Sequence, residues 1–178
     1  SFVTIGLVIS QIAVVLVLSG RLNKLSITSA TLLFYLYSVL TGVVFSSILL
    51  LYTATSVGMT FLITAGVFAA MSIYGFTTSN DLTKFGSIMF MALIGLIICS
   101  VVNIFLKSSG MEWIISLAGV AIFIGLTAWD TQKIKNAAMY ATDGTSAEKL
   151  ATFGALSLYL DFVNLFLYLL RFFGGSRD

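Results

Sequence analysis

The sequence predicts an all-helical, polytopic membrane protein, and three observations carry that prediction. The 178 residues are 59% hydrophobic and only 9% charged, against about 25% charged in an average soluble domain. Mean hydropathy is +1.09. The apolar residues also fall in continuous runs. A hydrocarbon core about 30 Å thick takes roughly 20 residues of helix, and the runs reach that length. They are continuous and not alternating, which argues against a membrane β-barrel. The aromatic load, 15 Phe, 7 Tyr and 2 Trp, argues against disorder.

Six spans follow in order, at about residues 1–20, 30–52, 57–76, 86–106, 113–130 and 151–173 of a single transmembrane domain, 1–178. The first starts at Ser1 with no flanking charge and no basic signal-peptide region. This predicts a chain that begins inside a larger protein, with a further helix before Ser1. Short polar connectors suit helix hairpins. The longest, 131–150, begins TQKIKN, and its first half is expected to carry the fifth helix on into water. Orientation follows from the Lys/Arg bias. Arg21, Lys24, Lys84, Lys133, Lys135 and Lys149 fall on one side, and Lys107, Arg171 and Arg177 on the other. The richer side is expected in the cytoplasm, with the C-terminus outside.

Composition also excludes chemistry. There is no His and one cysteine, Cys99. The usual general base, the usual pH switch, a disulfide framework and a cysteine-built zinc site are therefore all excluded. A net charge of +2 gives no case for nucleic acid. No cofactor is expected.

The polar residues inside the spans become the informative ones. Asp161 lies in ALSLYLDFVNLFLYLLRFF, roughly 15 Å into the last span at 1.5 Å per residue. Ser157, Asn164, Tyr168 and Arg171 sit at helical offsets from it and share its face. A polar stripe cannot face lipid, so this helix should be more enclosed by protein than the others. Two readings compete for Asp161: a structural hydrogen-bond network between helices, or a functional carboxylate. Asp130 closes the fifth span in AWDTQKIKN, on an antiparallel neighbour, so the two aspartates can approach. Two carboxylates sharing a site cannot both ionise cheaply, so the pair is expected to hold one proton and titrate as a unit. Deprotonated, Asp130 and Asp161 also offer oxygens of the type Ca²⁺ prefers, enough only for a weak or transient site. Arg21 is either a membrane anchor or a partner of the pair. Gln11 is polar at mid-span. Gly95, Cys99 and Asn103, with Gly119 and Gly125, read as small-residue packing positions.

The segments ALSLYLDFVNLFLYLLRFFG, WDTQKIKN and YGFTTSNDLTKFGSIMFMALIGLIICSVVNIFL resemble the Bax inhibitor-1 (transmembrane Bax-inhibitor-motif) family, nearest its bacterial inner-membrane branch. The resemblance implies seven transmembrane helices with the last one central, and hence a first helix before Ser1. It implies a pH-sensitive calcium leak in which Asp130 and Asp161 form the sensor, with Arg21 as the nearest match to a linked arginine. Gln11 stands nearest to where a glutamate is expected in calcium-leak members, which puts conduction in question.

Two functional expectations therefore stand. One is a calcium-permeable channel or leak gated by the aspartate pair, with Ca²⁺ as permeant ion. The other is a membrane scaffold that binds and modulates a membrane-bound AAA protease. An intramembrane aspartyl protease is not expected, because neither AWDTQ nor YLDFV carries a glycine flank. The protein is thus expected not to be an enzyme, and its surroundings to be the lipid bilayer.

Overall fold

The computed structural model describes residues 25–175. Five helices fill them: α1 (Ile27–Leu49), α2 (Ala54–Thr77), α3 (Thr83–Leu106), α4 (Ser109–Met139) and α5 (Gly144–Phe173). No strand occurs among the described residues. All five are long and apolar enough to cross a membrane. The expected first span, with Gln11, Arg21 and Lys24, lies outside the described residues, so the seven-helix count remains an expectation.

Local chemistry sets the helix starts. Ser26, Thr53, Ser108 and Asp143 each accept from the backbone N–H three residues on, at Ser29, Ser56, Met111 and Ser146. These are side-chain N-caps that satisfy otherwise orphaned donors. They also explain the shifted boundaries. The cap at Ser26 starts α1 at Ile27, earlier than the apolar run at 30. The cap at Asp143 starts α5 at Gly144, and α4 continues to Met139. The long connector expected at 131–150 is therefore mostly helix, and the break is confined to 140–143.

Hydroxyl groups within the spans turn back on their own helices. Ser38, Thr64, Ser100, Ser116 and Thr127 each donate to the carbonyl four residues earlier. That removes polar hydrogen from an apolar surrounding without a partner helix. The outer surface is apolar in proportion. Leu32, Val39, Leu62, Ile98, Ile104 and Phe105 are all exposed, a surface that lipid solvates and water does not.

Packing centres on α4, which touches α2, α3 and α5, while α5 also packs on α1 and α2. The last helix was expected to be the most enclosed. Among the described residues α4 is, with 50% of its most apolar stretch buried against 39% in α5. The reason lies in small residues at its contacts. A Cβ on Gly75 of α2 would stand 2.1 Å from the Ala128 carbonyl oxygen, and one on Gly86 of α3 would run into the Trp129 ring. On α4 itself, Gly119 lies flush beneath the Tyr168 ring of α5. Gly125 meets Met89 and Phe85, as the packing reading expected. Gly95 instead faces open space and Cys99 is exposed. That pair of α3 positions is not at a close helix contact among the described residues.

The far end of α4 is tied into the loop between α2 and α3. Gln132 accepts from the Leu82 N–H at 2.8 Å and donates to the Asn80 carbonyl at 2.8 Å. Lys135 donates to the Phe76 carbonyl at 2.7 Å. These bonds anchor the helical stretch beyond Asp130, which the hydropathy pattern alone leaves unsupported.

Candidate functional site

The polar stripe of α5 and the end of the apolar part of α4 face the same space. Asp130, Ser157, Asp161 and Asn164 all line one cavity of about 430 Å³. Phe90, Leu93 and Ile97 of α3 supply an apolar wall. Asp161 is 4% exposed and Asp130 is 9% exposed. The two carboxyl groups line the same cavity. Antiparallel packing of α4 against α5 brings them together, although 31 positions separate them in the chain.

Their surroundings differ. Asp130 Oδ1 accepts from Lys133 Nζ at 2.8 Å, in an i,i+3 ion pair on α4. The ammonium lies 4.5 Å from the Trp129 ring centre and 5.9 Å from that of Phe153. Aromatic faces attract a cation in this position, so Lys133 is held at the mouth of the cavity. Asp161 has no cation of its own among the described residues, and its Oδ2 is buried without a hydrogen-bond partner. A buried carboxylate oxygen with no partner is a costly arrangement. Such an oxygen is less costly when it carries a proton or meets a cation.

The remaining donors are few. Asn164 donates its amide N–H to the Leu160 carbonyl at 2.8 Å and lines the same cavity. Ser157 adds one hydroxyl. No cluster of three or more His, Cys, Asp or Glu side chains occurs among the described residues. Ca²⁺ takes six to eight oxygens, and one oxygen of Asp130 is already engaged by Lys133. The site suits a passing cation better than a resident one.

The structure thus brings together Asp130, Asp161, Ser157 and Asn164. Arg21, expected as a partner of the pair, lies outside the described residues. Lys133 entered the sequence reading through the charge bias and as a sign that the helix runs on past Asp130, and it is the cation paired with Asp130. That pairing was legible from the spacing, since i and i+3 share a helix face.

Comparison with known proteins agrees in extent and in kind. The family described as "Inhibitor of apoptosis-promoting Bax1" matches residues 1–178. The inner membrane protein YbhL of Escherichia coli (strain K12) is 53% identical over 175 residues, covering 97% of this chain and 75% of that protein. A protein of Borreliella burgdorferi is 51% identical over 174 residues, covering 97% and 75%. A membrane protein of Streptococcus pyogenes serotype M6 is 43% identical over 171 residues, covering 96% and 74%. With the whole chain matched and relatives at half identity, this multi-pass membrane protein belongs to the Bax inhibitor-1 family, that of the inhibitors of apoptosis-promoting Bax1.

Proposed function

We propose that the protein is a pH-sensitive, calcium-permeable leak of a bacterial inner membrane, gated by proton sharing between Asp130 and Asp161. The observation that carries this reading is the unpartnered Oδ2 of Asp161, buried in a cavity beside a second carboxylate. With a proton between them, the two groups hold α4 and α5 together. Without it, two like charges face each other in a poor dielectric, and among the described residues Lys133 offsets one of them. Repulsion then favours a state in which the helices separate and a cation enters. A proton shifts such a two-state equilibrium because it binds one state more tightly than the other.

The name of the Escherichia coli relative supports the inner-membrane placement. The charge bias supports a cytoplasmic position for the 140–143 turn and an external C-terminus.

The test is calcium flux into proteoliposomes across pH 5 to 8, for the wild type and for Asp161→Asn and Asp130→Asn. The expected result is a pH-dependent flux in the wild type and a flattened profile in both variants. A wild-type profile in both variants would remove the pair as the sensor. Absence of flux at every pH would instead favour the scaffold that binds a membrane-bound AAA protease.

A further inference from the structure

A second cavity, of about 570 Å³, opens at the end of the bundle away from the aspartates. It forms where α3 ends, α4 begins and α5 ends. Roughly 27 Å of helix separates its Glu112 from Asp130 along α4, at 1.5 Å per residue. Among the described residues its charged lining consists of Lys107, Arg171 and Glu112, so cations outnumber the acid there. Neither cation is in an ion pair among the described residues.

Each polar group is presented in a way that leaves its donors available. The Arg171 guanidinium carbon lies 5.6 Å from the Tyr168 ring centre. A guanidinium held against an aromatic face keeps its N–H fork free for an oxyanion. Asn103 Oδ1 accepts from the Ser108 N–H at 3.1 Å, which leaves the amide nitrogen as a donor. Lys107 ends α3 in the left-handed region, φ 48° and ψ 38°. It is the one non-glycine residue with positive φ among the described residues. Glycine adopts this cap conformation freely, whereas a side chain does so only with strain. The cap position carries a lysine all the same, and that lysine lines the cavity.

The cavity, set at the ends of membrane-length helices, suits headgroup depth. It adjoins Trp113, which is 58% exposed and meets Phe172 edge-on at 5.9 Å. Aromatic residues of this kind are enriched at the membrane–water interface. Ile104, 68% exposed, leads from the cavity along the lipid-facing side of α3, an apolar track for an acyl chain.

We propose that this cavity binds the phosphate of an anionic phospholipid headgroup, with Lys107 and Arg171 as charge partners and Asn103 as a hydrogen-bond donor. The recognised chemistry is a phosphate oxyanion, and the interfacial position and the apolar track favour the lipid as its source. Glu112 limits the net charge of the cavity and weakens the binding.

The test uses the purified full chain in detergent, offered phosphatidylglycerol or phosphatidylcholine and read by native mass spectrometry. Phosphatidylglycerol should be retained in preference to phosphatidylcholine. Lys107→Asn and Arg171→Gln should each weaken its retention about fivefold, the worth of one basic charge near a membrane surface. Glu112→Gln should strengthen it. Asparagine tolerates the left-handed cap, so Lys107→Asn removes the charge without disturbing α3, and a melting curve on each variant checks folding. Retention of inorganic phosphate without retention of phosphatidylglycerol, lost in the same variants, would support the oxyanion site and overturn the lipid as its occupant. Unchanged phosphatidylglycerol retention in both cation variants, or equal retention of the two lipids, would overturn the proposal.

Discussion

Lys133 decides how much negative charge the aspartate pair presents. Its side chain is 42% exposed, so its ion pair with Asp130 contributes at most about 1 kcal/mol to stability. Under the proposed gating its effect on the pair is larger in consequence, because it lies against one of the two groups that would share the proton. Lys133→Met should leave the melting temperature nearly unchanged and move the midpoint of the calcium-flux profile to higher pH, since no ammonium then offsets the pair. An unmoved midpoint would reduce Lys133 to a surface ion pair. Asp161→Leu separates the two readings of that carboxylate. Replacing a poorly partnered buried charge with a hydrocarbon is often neutral, or stabilising by about 1–4 kcal/mol. If Asp161 is functional, Asp161→Leu should melt no lower than wild type while losing its pH response. A loss of several kcal/mol in a denaturant titration would make Asp161 a structural hydrogen-bonding residue instead.

At the scale of the element, helix contacts and helix caps make opposite predictions for similar substitutions. A side chain on Gly75 meets the Ala128 backbone, which cannot swing aside. Gly75→Ala should therefore push α2 off α4 and cost about 1–3 kcal/mol, the usual range for overpacking. Gly66 lies on the same helix with nothing within 4 Å, and Gly66→Ala should be neutral or better, since alanine is the better helix former by about 1 kcal/mol. Equal melting temperatures for the two variants would contradict the close α2–α4 contact. Caps limit which groups can set a pH response. The Ser146 backbone N–H and hydroxyl hold the Asp143 carboxyl below the usual carboxylate range, and Thr83 does the same for Asp81. A group depressed on folding contributes stability above its unfolded value, near 3.9 for Asp, and loses it as pH falls through the lower folded value. The first turn of α5 should therefore stay protected from hydrogen exchange throughout pH 5 to 8 and fray only in stronger acid. Asp143→Asn should leave the flux profile between pH 5 and 8 unchanged. A shifted profile would move the sensor from the pair to the cap.

For the whole molecule, orientation is the property with the clearest experiment. The 78–82 and 140–143 turns lie at one end of the bundle, with Lys84, Lys133, Lys135 and Lys149 near them, against Lys107 and Arg171 at the other end. A periplasm-active reporter fused after Asp178 should be active, and a cytoplasm-active one silent. The reverse outcome would place the aspartate cavity toward the outside and reverse the direction in which pH is sensed. Two ties make the bundle more than a set of spans. Gly175 accepts from the Thr53 N–H at 3.1 Å and donates to Ser56 at 2.9 Å, closing the end of α5 onto the start of α2. Gln132 closes the other end by pinning the 78–82 turn to α4.

The sequence alone determined the class, the apolar cores of the spans and the stripe of Ser157, Asp161 and Asn164. Each of these is local: lipid forces backbone polar groups to bond within the helix, and helical spacing assigns a face. The neighbour that a face meets is not local. It depends on how far each helix is rotated and how closely it can approach, and this is set by contacts such as Gly75 on Ala128 and Gly86 on Trp129. The tertiary structure therefore decided that Asp161 and Asp130 line one cavity, that Lys133 pairs with Asp130, and that, among the described residues, α4 is more enclosed than α5. It also decided that Lys107 and Arg171, 64 positions apart in the chain, line one cavity. The run of the 109–139 helix past Asp130 was legible, since TQKIKN was expected to carry it on into water. Its partners there were not: Gln132 and Lys135 bond to residues 50 and 59 positions earlier, a distance over which no periodicity in the sequence carries information.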